Sequence, residues 1–153
     1  MSSLDNLLNP QRVLCQLHAT SKKRVLELVA QHVADIEASL EVEPVYASLL
    51  ERERLGSTAL GTGVAVPHCR VNGLDKPLGC LITLASPIDY DAPDRKPVDL
   101  LFVLLVPPDA TQEHLDLLAE VARRFSDSLY CEGLRKASSS ASLLQTATTA
   151  RAA

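Results

Sequence analysis

Two apolar runs, residues 78–85 and 98–106, dominate the pattern along this chain. Both are too continuous to be half-exposed, so they predict central strands covered on both faces. A shorter apolar run at 64–66 and an alternating stretch at 12–18 predict two further strands. Between them the period changes. Ser21 offers an N-cap, and Val25, Leu28, Val29, Val33 and Ile36 then recur at helical spacing over roughly four turns. His32 lies on the same stripe and reads as a packed or rim histidine. Pro44 suits the first turn of a second helix, with Val45, Leu49 and Leu50 on its apolar side. That helix ends in Glu51-Arg52-Glu53-Arg54 and stops at Gly56.

Residues 85–94 read as a turn-rich connection with at most one short strand segment. Pro107-Pro108-Asp109 closes the last strand. Thr111 is then expected to cap an amphipathic helix with the stripe Leu115, Leu118, Ala119, Ala122, Phe125 and Leu129. Residues 131–137 extend the helical region, Ser138-Ser139-Ser140 breaks it, and a small helix forms around Leu143 and Leu144. Helices interleaved with strands make this a single α/β domain, a central mixed sheet flanked by helices on both faces. The domain is expected over 12–147, with 1–11 a polar, extended or fraying lead-in and 148–153 a mobile tail.

Composition narrows the partners. A formal charge of −4 removes the basic face that nucleic acid requires, and 3% aromatic residues without Trp leave no base-stacking platform. No window approaches the ~20 apolar residues of a membrane span, and Met1-Ser2-Ser3-Leu4-Asp5 lacks the features of a signal peptide. A cytoplasmic protein with no membrane insertion is expected. Cys15, Cys69, Cys80 and Cys131 show no C-x-x-C pairing, so neither a metal site nor a redox motif is expected. Cys15 and Cys80 read as small core residues, and four free thiols suit a reducing cytosol.

The candidate chemistry gathers around Val64-Ala65-Val66-Pro67-His68-Cys69. Three of the six glycines fall in the preceding stretch 56–63, where Ser57 and Thr58 offer hydroxyl or backbone donors to an anion. Pro67 has a locked φ and holds Val66 extended, so it limits where His68 can point. An imidazole beside such a loop suits an anion, and its ordinary pKa of about 6.5 leaves it largely neutral and nucleophilic at cytosolic pH. A strand-end histidine facing solvent is the other reading, and the residues alone leave both open. His114 falls in the first turn of the helix capped by Thr111, where the dipole disfavours imidazolium and a neutral ring can donate to an anion. A plain first-turn surface histidine fits equally.

Arg52 is the cation its helix delivers next to the Ser/Thr/Gly loop, whereas Glu51, Glu53 and Arg54 read as a solvated face. His18 reads as structural. No G-x-x-x-x-G-K-[ST] occurs, so nucleotide is not implied. Cys69 points away from its neighbour His68 in an extended chain, which disfavours a Cys–His hydrolase pair.

Glu53, six residues, then Leu60-Gly61-Thr62-Gly63-Val64-Ala65-Val66-Pro67-His68-Cys69 resembles the phosphohistidine signature of enzyme IIA domains of the mannitol/fructose class. These belong to the bacterial phosphoenolpyruvate-dependent phosphotransferase system, and the likeness is closest to its nitrogen-related regulatory members. It runs from Ser21-Lys22-Lys23-Arg24 through Pro97-Val98-Asp99-Leu100-Leu101-Phe102 and Leu105-Val106-Pro107 to His114-Leu115. The resemblance implies the IIA fold, transient phosphorylation of His68 at Nε2, and accessory roles for Arg52 and His114. It implies a phosphoryl carrier loaded by an HPr-like (NPr) phosphocarrier, with no cofactor, and regulated targets such as sensor kinases or potassium transporters. The alternative is a sugar-specific IIA that passes phosphate to a IIB domain during fructose- or mannitol-type uptake. A stand-alone IIA without a fused IIB or IIC domain is expected, which favours the regulatory form. Position 69, often glycine in the family, is cysteine here, which could make the site sensitive to oxidation.

Overall fold

The computed structural model describes residues 3–109 and 112–149. The two long apolar runs form the centre of the sheet, as the pattern requires. Strand β6 (Val98–Val106) pairs antiparallel with β5 (Leu78–Ile88), and β5 pairs parallel with β1 (Val13–Leu17). The other side of β6 carries β3 (Val64–Ala65) and then β4 (His68–Arg70), both parallel to it. A short β2 (Ala59–Gly61) pairs antiparallel with β3, giving the order β1-β5-β6-β3-β2 with β4 also on β6. The sheet is mixed, as expected.

Alternation along β6 assigns the two faces. Leu100, Phe102, Leu104 and Val106 pack with α1 (Ser3–Leu7), α4 (Gln112–Phe125), α5 (Ser128–Lys136) and α6 (Ser140–Thr149). Leu101, Val103 and Leu105 pack on the opposite side with α2 (Lys22–Ile36) and α3 (Val42–Arg54). Burial of both sets makes the run read as continuous in sequence. Helix α2 starts where Ser21 predicts, its side chain accepting from the Arg24 N–H at 3.1 Å. Gly56, with φ +147°, ends α3, its N–H donating to the Glu53 carbonyl at 3.1 Å.

Pro67 divides what is otherwise one strand alongside β6. Having no N–H, it offers β6 only its carbonyl, which accepts from Leu104 N–H at 2.9 Å. His68 is therefore the first residue of β4 and does not hang beyond a strand end. Its register partner is Leu104, which in turn pairs with Gly79 of β5. Gly79 has a packing role here. A Cβ at that position would meet Phe102 Cζ at 2.6 Å and Leu7 Cβ at 3.2 Å. Gly79→Ala is expected to lower stability by about 1–3 kcal/mol through overpacking. Urea unfolding checks this, with a lowered midpoint at constant slope expected and an unchanged midpoint contradicting it.

Five expectations change. The lead-in is not extended: Leu4, Leu7 and Leu8, an i, i+3, i+4 triplet, are buried through α1 against the core under α4–α6. Strand β5 runs on to Ile88 through Pro87, with its register interrupted between Thr83 and Ile88, where a turn-rich stretch was expected. The inward stripe of α4 is His114, Leu117, Val121 and Phe125, while Leu115 is 57% exposed and Leu129 79%. Leucines lie on several sides of this helix, so two phases fit the spacing; both contain Phe125, which packs against Phe102, and the one that also buries Leu117 and Val121 prevails. Asp127, which accepts from Leu129 and Tyr130 N–H, ends that stripe by starting α5. The expected Thr111 cap lies outside the described residues. Helix α6 continues through Thr149, holding Ala147 buried where Tyr130 donates its hydroxyl to the Ala147 carbonyl at 2.8 Å, so the expected tail is helical at residues 148 and 149. Residues 150–153 of that tail lie outside the described residues. Finally, Glu53 is buried and not part of a solvated face.

Candidate functional site

The site forms where the strand interrupted at Pro67, the end of α3 and the start of α4 converge. His68 shares the register of Leu104, whose side chain lies on the α4 side of the sheet. Cys69 follows and packs with the opposite cluster, as strand alternation predicts. Burial pushes the Cys69 thiol up to about 12, so it is no thiolate partner for the imidazole.

Both nitrogens of His68 are accounted for. Nδ1 lies 2.9 Å from the Val66 carbonyl, which can only accept, so Nδ1 carries the proton. Nε2 is then the lone-pair nitrogen, and Arg52 Nε–H donates to it at 3.3 Å. Arg52 also donates from Nη1 to the Gly56 carbonyl at 2.9 Å, fixing the guanidinium over the loop. His114 faces the same ring from α4, with centroids 6.2 Å apart and planes inclined at 47°. The residue is only 9% exposed, and its Nδ1 has no hydrogen-bond partner among the described residues. His68, Arg52 and His114 are thus brought together.

Ser57 and Thr58 are placed differently. Thr58 is buried and directs both its N–H, at 3.2 Å, and its hydroxyl to Glu53. The Ser57 hydroxyl donates to the Tyr90 carbonyl at 3.3 Å and accepts from Ala59 N–H at 3.2 Å. These side chains are engaged with the fold; no hydrogen bond among the described residues joins either to His68. His32, expected as a packed or rim histidine, lies partly exposed at the rim, with Nε2 at 2.5 Å from the Gln11 carbonyl.

The sequence places Glu53 at the head of the family signature but suggests a solvated face for it, and it singles out neither Lys22 nor Tyr90 as a site residue. Glu53 falls four residues after Leu49 and eight after Val45, on the buried stripe, a signal masked by the charges on either side of it. Nothing in the local pattern marks Lys22 or Tyr90.

Electrostatics favour a neutral pair of rings. Burial lowers the pKa of His68 most, the Val66 hydrogen bond opposes this, Arg52 lowers it further and Glu53 raises it. For His114 burial is again the main cause, followed by the charges of His68 and Arg70. Both rings therefore titrate below the ordinary value of 6.5. The unfolded chain takes up these protons first, so folding stability is fully present above pH 6.5 and falls as the pH drops through the folded-state midpoints. NMR titration of the imidazole carbons is expected to give both midpoints below 6.5, and a midpoint above it for His68 contradicts this electrostatic account.

A neutral nucleophilic nitrogen beside a permanent cation and a second neutral imidazole is suited to receiving an electrophilic anion. Comparison with known proteins identifies the family. Residues 6–148 match the family profile "Phosphoenolpyruvate-dependent sugar phosphotransferase system, EIIA 2". A nitrogen regulatory protein of Pseudomonas aeruginosa is 43% identical over 145 residues, covering 95% of this chain and 94% of the relative. The crystal structure of the nitrogen regulatory protein IIA-Ntr from Neisseria meningitidis superposes with a TM-score of 0.89 at 38% identity, over 96% of this chain and all of that one. IIA mannitol from Escherichia coli shares the fold, with a TM-score of 0.75 at 19% identity over 92% of this chain and 99% of its own. The chain belongs to the EIIA type 2 family of the phosphotransferase system, and its relatives place it with the nitrogen-related components.

Proposed function

We propose that His68 accepts a phosphoryl group on Nε2 from the phosphohistidine of an HPr-like (NPr) carrier, and that the charge so acquired controls binding to regulated partner proteins. The observation that carries this reading is the pair of hydrogen bonds that leaves Nε2 unprotonated and under Arg52. In the step proposed, the Nε2 lone pair attacks phosphorus in line as the donor's P–N bond breaks, and that bond's electron pair returns to the donor imidazole. Arg52 Nε–H, released from the lone pair, turns to a phosphoryl oxygen. His114 offers its ring N–H to the same group from the opposite side. Fixed donors replace water around the transferring charge, which is the main source of acceleration in such a step.

Exposed apolar side chains flank these residues. Leu55, 82% exposed, follows Arg52 at the end of α3, and the exposed Leu115 follows His114. They suit the apolar centre of a docking face for the carrier. The regulatory reading draws support from the nitrogen regulatory relatives.

The test is incubation with phosphorylated carrier, followed by intact-mass analysis of the wild-type protein and of His68 and His114 variants. Gain of one acid-labile phosphoryl group that depends on His68 is expected; none on the wild type removes the proposal. Onward transfer to a fructose- or mannitol-type IIB at a rate matching uptake would favour the sugar-specific alternative.

A further inference from the structure

Glu53 touches neither ring nitrogen of His68, yet both of the hydrogen bonds to that ring lead back to it. The residue is 7% exposed, and its carboxylate meets four donors. Lys22 Nζ lies 3.1 Å from Oε1, and Thr58 N–H donates to the same oxygen at 3.2 Å. The Tyr90 hydroxyl donates to Oε2 at 3.1 Å, and the Thr58 hydroxyl donates to Oε2 as well. These donors belong to the first turn of α2, the loop after α3 and the connection from β5 to β6.

From Thr58 the bonds continue inward. Its carbonyl accepts from Val66 N–H at 3.0 Å, and the Val66 carbonyl accepts from His68 Nδ1 at 2.9 Å. On the other side, Arg52 immediately precedes Glu53 in the last turn of α3 and reaches Nε2 at 3.3 Å. Anchoring Glu53 anchors that turn. An apolar side chain would fill the buried stripe with no charge to desolvate, so what the carboxylate adds is direction.

We infer that Glu53 is a positioning residue for phosphoryl acceptance, holding the imidazole through Thr58 and Val66 and the Arg52 guanidinium through the end of α3. The role rests on the reading of His68 as the acceptor. Glu53→Gln keeps the size and sets an amide N–H₂ against donors that now meet oxygen. Two readouts test it: the His68 tautomer by ¹⁵N NMR, and single-turnover transfer from phosphorylated carrier. The folded variant is expected to populate a second tautomer and to transfer at least about tenfold more slowly at saturating carrier, with half-saturation within about twofold of wild type. A single Nδ1–H tautomer together with a wild-type rate overturns the inference. If E53Q does not fold, Tyr90→Phe removes one donor and keeps the ring. About threefold slower transfer with the same tautomer change then supports the role, and an unchanged tautomer and rate overturn it. A wild-type protein that takes no phosphoryl group overturns the proposed function instead, and a changed tautomer in E53Q then still supports Glu53's hold on the ring.

Discussion

His68→Ala abolishes phosphoryl uptake and leaves the fold in place. The two halves of this expectation have separate causes. Uptake fails because among the described residues no other presents an unprotonated nitrogen under a guanidinium: His114 lies 6.2 Å away by ring centroid, with Arg52 directed to His68. The fold survives because His68 is half-buried at the start of a three-residue strand, and its backbone pairing with β6 does not depend on the ring. The side-chain hydrogen bond lost to Val66 amounts to about 1 kcal/mol. Arg52 keeps its bond to the Gly56 carbonyl and is not left as an unpaired buried charge. Intact-mass analysis and urea unfolding on the same sample check both halves. A midpoint far below wild type would mean that the ring supports the fold more than its contacts indicate.

Arg52→Ala is expected to slow transfer by about a hundredfold or more, the loss typical of removing one preorganised donor from a developing charge. Arg54→Ala serves as the control. Two residues apart on a helix, the side chains diverge by about 200°. Arg54 is exposed and makes no hydrogen bond among the described residues, whereas Arg52 spans Gly56 and His68. Its removal should leave the rate within about twofold of wild type, as for a surface charge outside the site. Stopped-flow or quench-flow transfer from phosphorylated carrier distinguishes the two, and equal rates would remove Arg52 from the site. Arg52→Lys should recover part of the loss, since an ammonium restores charge without the fixed Nε–H.

The parts of the fold legible in sequence are those where one physical requirement acts alone. Strands β5 and β6 must be buried on both faces, and an unbroken apolar run has no other economical explanation. Helix α2 announces its start through Ser21 because an N-cap oxygen is needed there whatever the tertiary context. Where two requirements compete, the sequence is ambiguous. Helix α4 has leucine on several sides, and only its tertiary packing into the core chooses Leu117 and Val121 over Leu115. The exposed Leu115 then becomes available to a partner. Three leucines among polar residues are too short a pattern to declare α1, which exists because Leu4, Leu7 and Leu8 close one end of a core built by distant segments.

The site divides along the same line. His68 and Arg52 were visible because Pro67 and the end of a helix constrain them locally. The burial of Glu53 was masked by the arginines on either side, and its partners Lys22 and Tyr90 lie more than thirty residues from it on either side in the chain, so only folding brings them together. Ser57 and Thr58 were read as anion donors for the right chemical reason, but buried hydroxyls find the nearest strong acceptor, which here is Glu53 or the Tyr90 carbonyl.

The central claim is that phosphate enters on Nε2 of His68. Combined ³¹P and ¹⁵N NMR of the protein, labelled in its histidine rings and phosphorylated by the carrier, addresses it directly. The account predicts one phosphohistidine, with phosphorus coupled to Nε2 of His68 and the proton retained on Nδ1. Phosphorus coupled to Nδ1, or to the ring of His114, would contradict it.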